Sequence, residues 1–167
     1  TCAKLLNTPK LSRFYVYVLR NSPVAIETVK DDLDLPHSTA YKYVGEIEEM
    51  DVLTRHEETR PTMIEVEPIQ LKMKTDDGDM VVTPVLVDAV ARQFDTKDIR
   101  VFVGQQGIPK LAAALHYTLR VMNGDLTQRT AATKLNVHPV EGMTVITALQ
   151  DVVETTKAYD PHLEADE

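Results

Sequence analysis

The apolar residues near the start of the chain predict an amphipathic helix. They recur at spacings of three and four residues, at Leu11, Phe14, Tyr15, Val18 and Leu19, which places them on one face of an α-helix. Thr8 followed by Pro9 is typical of a helix start, because threonine can cap the first turn and proline is tolerated at the first helical position. Pro23 predicts its end near residue 21, because proline disfavours helical geometry in the residue before it.

Two further helices and a β-hairpin are predicted next. Ile26, Val29 and Leu33 define a short helix, and residues 34–36 interrupt it. A third helix is predicted over about 37–50, with Ala40, Val44 and Ile47 on its inner face. Residues 52–57 and 63–66 are predicted strands, with Thr59-Arg60-Pro61 at the hairpin tip.

The remainder of the chain is predicted to be helical after a linker. Residues 74–79 are polar and lack periodicity, which favours a linker. A short β-branched stretch follows at 80–85. Apolar spacing then predicts helices over about 85–94, 99–107, 109–122, 127–135 and 139–153. Residues 158–167 are expected to form a frayed acidic tail.

Composition limits the class of protein without defining its function. The 167 residues predict one or two domains, and 43% hydrophobic with 26% charged residues is an ordinary globular balance. The apolar runs are too short to span a membrane. A single cysteine, Cys2, excludes an intrachain disulfide and favours a reducing, cytoplasmic setting.

The net charge of -8 is unevenly distributed along the chain. Residues 1–26 contain no acidic residue, but they include Lys4, Lys10, Arg13 and Arg20. The last seventeen residues, by contrast, are strongly acidic. The net charge excludes an evenly basic nucleic-acid coat protein, and a solvated acidic surface explains most of the carboxylates.

The order of elements over residues 24–66 is that of a helix-turn-helix followed by a wing. In such a unit the start of the second helix enters the major groove, so its outer residues must be polar and free of acids. The outward positions here are His37, Ser38, Thr39, Tyr41 and Lys42, and no acidic residue occurs between Leu35 and Gly45. These five residues are therefore candidate DNA contacts.

The sequence resembles the winged helix-turn-helix regulators of the MarR, ArsR and GntR type. The likeness lies in residues 35–44, Ile47 and Met50-Asp51-Val52-Leu53, and it covers about residues 9–70. The resemblance implies DNA-contacting positions at Ser38, Thr39, Tyr41, Lys42 and Tyr43. Asp51 stands where these families usually have glycine, which makes the shape of the turn into the wing an open point. The whole chain is also similar to helix-turn-helix proteins of halophilic archaea.

The predicted wing adds two candidate DNA contacts, Arg55 and Arg60. Arg60 lies at the tip, where it could reach phosphates or a minor groove. The alternative is that it is a solvated loop arginine near Glu57 and Glu58. His37 is interpreted as a polar helix start rather than a metal ligand, because the five histidines and Cys2 show no ligand-like spacing.

A shift of 102 residues superimposes the first helix pair on a second one. Core positions coincide without a gap, including Leu33 with Leu135, Ala40 with Gly142 and Val44 with Ile146. The outward positions differ, since the second copy has Val140, Glu141, Met143 and Thr144. Phosphate repels a carboxylate, so we expect this copy to pack or pair with protein rather than read DNA. The alternative is that Val140 and Met143 belong to the core of a helical bundle.

The sequence thus predicts a mainly α protein with a small β-wing, an α+β fold. The predicted parts are a winged helix-turn-helix domain at 1–72, a helical domain with a degenerate helix-turn-helix repeat at 80–157, and the tail at 158–167. The favoured function is a cytoplasmic transcriptional regulator that binds double-stranded DNA as a homodimer. A protein-interaction module without base readout is the alternative. An enzyme is disfavoured because no catalytic motif occurs, no cofactor or metal is predicted, and any small-molecule effector is unknown.

Overall fold

A computed structural model describes residues 2–75 and 78–164, which are mostly helical and include two small antiparallel sheets, so the α+β class is confirmed. The helices are α1 (Cys2–Asn7), α2 (Pro9–Asn21), α3 (Ile26–Asp32), α4 (His37–Glu48), α5 (Pro84–Ala91), α6 (Lys97–Gln106), α7 (Ile108–Met122), α8 (Gln128–Lys134), α9 (Pro139–Thr156) and α10 (Pro161–Glu164). The strands are β1 (Val24–Ala25), β2 (Leu53–His56), β3 (Met63–Val66), β4 (Leu71–Thr75) and β5 (Gly78–Val82). No helix in this described part of the chain is long and apolar enough to cross a membrane.

The first part of the chain forms the predicted helices and hairpin. Strand β3 lies between β1 and β2, and both neighbours are antiparallel to it. Helix α1 was not predicted from the sequence. It packs through the buried Leu5 and Leu6, and the Ser12 hydroxyl of α2 donates a hydrogen bond to the Leu5 carbonyl at 2.6 Å.

A buried tyrosine fixes the segment that leaves the hairpin. The Tyr15 hydroxyl donates to the Glu67 carbonyl at 2.7 Å and accepts from the Ile69 amide at 2.9 Å. Burial raises the pKa of Tyr15 well above its ordinary value. Both hydrogen-bonding functions of the hydroxyl are satisfied, so this segment is held on α2 despite having no sheet partner of its own.

The linker predicted at residues 74–79 is wrong. Strands β4 and β5 form a second hairpin, in which Met73 pairs with Met80 and Leu71 with Val82. Met80 and Val82 are buried, whereas the opposite side of the ribbon is mostly polar, with Lys72, Lys74 and Asp79 beside the exposed Val81. That polar side gave the segment its linker-like composition. Asp76 and Asp77 lie outside the described residues.

The second part follows the predicted helices closely. All eight residues of α5 are buried. Gly107 ends α6 with a φ of 86°, a left-handed conformation that glycine adopts without steric cost. Thr127 caps α8 by accepting a hydrogen bond from the Thr130 amide at 3.1 Å. The buried apolar residues of both parts form one continuous cluster, so the two predicted domains share a core.

A buried carboxylate joins the two parts of the chain. Asp88 of α5 has a side chain only 3% exposed, and it forms ion pairs with Arg20 of α2 at 3.1 Å and Arg92 at 3.3 Å. Thr156 and Tyr159 donate hydrogen bonds to it at 3.0 and 2.6 Å. We call these five residues the Asp88 junction. Paired and hydrogen-bonded on every side, this carboxylate satisfies the usual condition for burying a charge.

The predicted frayed tail is wrong for residues 158–164. Asp160 is only 1% exposed, and its carboxylate accepts a hydrogen bond from the Val85 amide at 3.1 Å. That bond satisfies a free amide in the first turn of α5. Burial, together with the charge of Asp88, raises the pKa of Tyr159 to about 12. Residues 165–167 lie outside the described part of the chain.

Candidate nucleic-acid interface

The angle between α3 and α4, here called the first helix pair, is set by a tight turn. Asp34 adopts a left-handed conformation with a φ of 53°. The Leu33 and Leu35 amides donate to the Val29 and Lys30 carbonyls at 3.0 and 2.9 Å. Pro36 occupies the N-cap of α4, so the helix begins at His37 as predicted.

The inner face of α4 packs as predicted. Ala40, Val44 and Ile47 are all 0% exposed. Because these three residues lie on one side of the helix, their burial directs Ser38 and Lys42 away from the protein. The exposed outer face at the start of α4 is therefore a consequence of the apolar spacing.

Most predicted contact residues lie on this outer face. His37, Ser38 and Lys42 are exposed, and Thr39 and Tyr41 are half-buried. The His37 and Tyr41 rings pack together, with centroids 4.5 Å apart. Lys42 forms no ion pair with any described residue. The side chains present hydroxyl, imidazole and ammonium groups to solvent at one helix end.

Tyr43 is a correction, because it belongs to the core and not to the outer face. It is 8% exposed, and its ring meets Phe14 edge-on at a centroid distance of 5.8 Å. Burial, and secondarily the charge of Glu46, raises the pKa of Tyr43. The ring is therefore held against α2 and does not stand on the outer face of α4.

One acidic neighbour of the outer face was missed from the sequence. Glu27 of α3 lies 3.6 Å from the His37 ring and forms an ion pair with Lys30 at 2.6 Å. The hydrogen bond from Lys30 lowers the pKa of Glu27. The Glu27-x-x-Lys30 spacing, which brings two residues together on a helix, was the available signal. Lys30 offsets the charge that Glu27 brings to the interface.

Arg55 is the second correction, because its guanidinium is held within the protein. It contacts Glu48 at 2.6 Å and Glu57 at 3.6 Å, and its side chain is 24% exposed. These contacts attach β2 to the end of α4. Arg55 positions the hairpin against α4 instead of extending toward a partner.

Arg60 lies exposed at the tip of the same hairpin, as predicted. It has no ion pair among the described residues. The Thr59 hydroxyl, hydrogen-bonded to the His56 carbonyl at 3.0 Å, braces the tip. Asp51, before β2, has a φ of 59°, a left-handed conformation that favours glycine. Aspartate therefore adopts a glycine-like shape in the turn that leads into the hairpin.

Two of the four basic residues at the start of the chain, Lys4 and Arg20, form ion pairs with the rest of the protein. Lys4 contacts Glu46 of α4 at 2.6 Å, and Arg20 belongs to the Asp88 junction. The hydrogen bond from Glu46 raises the pKa of Lys4. Lys4 therefore neutralises a carboxylate of α4, whereas Arg20 serves the junction between the two parts of the chain, and neither side chain is a free cation.

The second helix pair, α8 and α9, repeats the backbone geometry of the first at an offset of 102. Both α3 and α8 have seven residues, and α4 and α9 begin at the equivalent His37 and Pro139. Asn136, equivalent to Asp34, has a φ of 58°. The Leu135 amide donates to the Ala131 carbonyl at 3.0 Å, as Leu33 does to Val29. The two helix pairs that share core spacing in the sequence therefore also share the conformation of the turn between their helices.

The second pair differs from the first in packing and in surface. A Cβ added to Gly142 would lie 2.5 Å from the Ala132 Cβ, so α8 and α9 approach too closely there for a side chain. Val140 is 61% exposed, and Glu141 accepts a hydrogen bond from Gln106 at 3.1 Å. The outer surface of α9 is therefore apolar and acidic where that of α4 is polar and basic.

Comparisons with known proteins match part of the second half alone. Residues 93–158 are similar to a family of unknown function, DUF7437. The match spans less than half of the chain, from the turn before α6 to just beyond α9, and it includes the second helix pair but not the first. The comparison with curated proteins gave no match, nor did the comparison with solved structures. Among the described residues, no three His, Cys, Asp or Glu side chains are grouped so as to hold a metal ion.

Proposed function

We propose that residues 9–70 form a winged helix-turn-helix domain and that the protein is a cytoplasmic transcriptional regulator binding double-stranded DNA. The observation that carries this proposal is the outer face of α4. It presents Ser38 and Lys42, with no carboxylate on its first two turns, at an angle fixed by the buried inner face. A helix start with these properties suits entry into the major groove. Its free amide groups and its dipole favour the phosphates that flank the groove.

In this proposal the side chains of α4 and the hairpin have separate roles. Ser38, Thr39 and His37 offer hydrogen bonds to base edges, and Lys42 pairs with a phosphate. Arg60 contacts the backbone or the minor groove from the hairpin tip. Tyr41 supports the His37 ring, and Arg55 acts indirectly by holding the hairpin through Glu48.

Local pairing reconciles this role with the net charge of -8. Three carboxylates near the interface have basic partners, namely Glu27 with Lys30, Glu46 with Lys4 and Glu48 with Arg55. Lys42 and Arg60 then stand as unpaired cations among the described residues of the interface. Two phosphate contacts per protomer predict a slope of log affinity against log salt of about −2 for each bound protomer, and of about −4 for a bound homodimer.

Recognition by one such domain reads few bases, so we propose that the protein acts as a homodimer. The start of the chain packs inward through Leu5 and Leu6, and α5 is wholly buried, so neither offers an apolar surface for the dimer contact. Val140 of α9 and Val101 of α6, 61% and 43% exposed, line a groove of about 580 Å³, and we propose this groove as the contact. The same groove is lined by Lys97, Asp98 and Glu141, which provide both signs of charge for two-fold pairing.

The test is selection of duplexes from a random pool, followed by affinity measurements on a recovered sequence. The variant Lys42→Ala with Arg60→Ala should lower affinity at least about tenfold, because both phosphate contacts are lost. The matched control is Lys74→Ala with Arg129→Ala, which removes two exposed cations elsewhere and should change affinity by less than about twofold. Equal affinity of both double variants would exclude α4 and the hairpin tip as the interface.

Protein binding without base readout is the second candidate function, and the exposed Val140 and Val101 favour it. If no duplex is enriched by selection, the groove between α6 and α9 becomes the main functional surface. Val140→Glu should then abolish binding of a co-purifying partner. If the groove serves the homodimer instead, the same variant should be monomeric in sedimentation and bind the selected duplex more weakly.

A further inference from the structure

Gly45 lies on the outermost stripe of α4 and has no evident role in the fold. With Ser38, Lys42 and Glu49 it follows the spacing of four, three and four residues that places side chains along one side of a helix. This stripe is opposite the buried Ala40, Val44 and Ile47. Glycine is disfavoured in a helix interior, because it loses more conformational freedom on folding than other residues.

Packing inside the protein gives no reason for this glycine. A Cβ added to Gly45 would meet no heavy atom within 4 Å, and its backbone is ordinary helix. Gly142 is the contrasting case, since its added Cβ would lie 2.5 Å from Ala132. Gly45 therefore leaves bare backbone on the exposed side of α4, where alanine would fit and would favour the helix.

We infer that Gly45 is the point of closest approach between α4 and DNA, an inference that rests on the proposed function. The major groove is about 12 Å wide, and a helix with its side chains measures about 10–12 Å across. Removing the side chain at one groove-facing position lets the helix axis lie nearer to the base edges. Lys42 and Ser38, one and two turns earlier, then reach phosphates and bases that a methyl group at residue 45 would hold at a distance.

The experiment compares Gly45→Ala with Gly104→Ala on the full chain. Gly104 is the matched control, because it also lies within a helix, α6, and a Cβ added to it would also meet nothing within 4 Å. Both variants should raise the urea midpoint of unfolding. Gly45→Ala should lower affinity for a selected duplex about tenfold, the usual effect of a methyl group forced into a close contact, whereas Gly104→Ala should stay within about twofold of wild type.

The possible outcomes separate this inference from the proposed function. If wild type binds the duplex and Gly45→Ala binds equally well, the close-approach role is wrong and the proposed function stands. A lower urea midpoint for Gly45→Ala would also overturn the inference, because the glycine would then serve the fold. If the wild type enriches no duplex, the proposed function fails and the inference fails with it.

Discussion

The two helix pairs of this protein share a backbone frame and differ in what they present to solvent. Helices α3 and α8 have the same length, and Asp34 and Asn136 turn the chain with φ values of 53° and 58°. Yet Ser38 and Lys42 of the first pair correspond to Val140 and Thr144 of the second. Core spacing and the turn maintain the frame, so the outward residues are free to differ and define the role of each pair.

The comparison also separates two reasons for a helical glycine. In the second pair, Gly142 permits close packing of α8 on α9, whereas the equivalent Ala40 of the first pair has room for its methyl group. No neighbouring atom imposes such a packing constraint on Gly45, because a Cβ added there would meet nothing within 4 Å. The same residue type therefore serves the interior of one pair and the exterior of the other.

The largest expected effect on stability comes from breaking the Asp88 junction, which connects the part of the chain with the first helix pair to the part with the second. Asp88→Ala should lower the free energy of unfolding by about 3 kcal/mol, because Arg20 and Arg92 would lose the buried carboxylate that both contact. Urea denaturation monitored by circular dichroism measures this. Asp95→Asn, at an exposed neighbouring position, is the control and should change stability little. A loss below about 1 kcal/mol for Asp88→Ala would show that the pairs do not depend on the Asp88 junction.

Exchanging the outward residues tests whether the surfaces alone distinguish the pairs. Ser38→Val with Lys42→Thr gives the first pair the residues of the second, and it should lower affinity for a selected duplex about thirtyfold, or about 2 kcal/mol. The reverse exchange, Val140→Ser with Thr144→Lys, should leave affinity within about twofold. Fluorescence anisotropy on one duplex measures both. A similar loss from both exchanges would mean that both pairs contact DNA.

The packing difference is tested by adding a methyl group to the second pair. Gly142→Ala should destabilise the protein by about 1.5 kcal/mol, because the new Cβ would overlap Ala132 and force α8 and α9 apart. Gly104→Ala should act in the opposite direction, since its methyl group meets nothing. The comparison uses urea midpoints. Stabilisation by both substitutions would mean that the two helices can separate without cost.

The smallest expected effect tests the shared turn. Asp34→Gly and Asn136→Gly should each stabilise the protein by about 0.5 kcal/mol, because relief of the left-handed strain exceeds the added freedom of the unfolded chain. Asn123→Gly is the control, since Asn123 has a φ of -81° and gains no such relief. Thermal unfolding can resolve differences of this size. Opposite signs at residues 34 and 136 would contradict the equivalence of the two turns.

Local features of the sequence were sufficient to predict most helices and the repeat. The Thr8-Pro9 start, the Thr127 cap and the Gly107 end depend on neighbouring residues alone. The proposed interface was partly predictable for the same reason, because burial of Ala40 and Val44 fixes where Ser38 and Lys42 point. The repeat needed no sequence identity, since it follows from core spacing.

What the sequence could not predict depends on distant contacts. Tyr43 is buried because Phe14 of α2 lies against it, and Arg55 is occupied because the hairpin returns to Glu48. Strands β4 and β5 pair only with each other, and the sequence of either one alone is too polar to predict a strand. Asp160 resembled a tail residue because its partner, the Val85 amide, lies 75 positions earlier.

The contact between Asp160 and Val85 has a consequence for the order in which the chain folds during synthesis. At about 5–20 residues per second, ribosomes need about 4–15 s to add the residues between them. The first helix pair and its hairpin are already synthesised throughout that interval, and Asp88 already has Arg20 and Arg92 as partners. The start of α5 stays uncapped, and Asp88 lacks its two hydroxyl donors, until Thr156, Tyr159 and Asp160 emerge. The last contacts of α5 therefore form only when the end of the chain is made, and a fragment cut at residue 158 would keep Thr156 but lack the contacts of Tyr159 and Asp160.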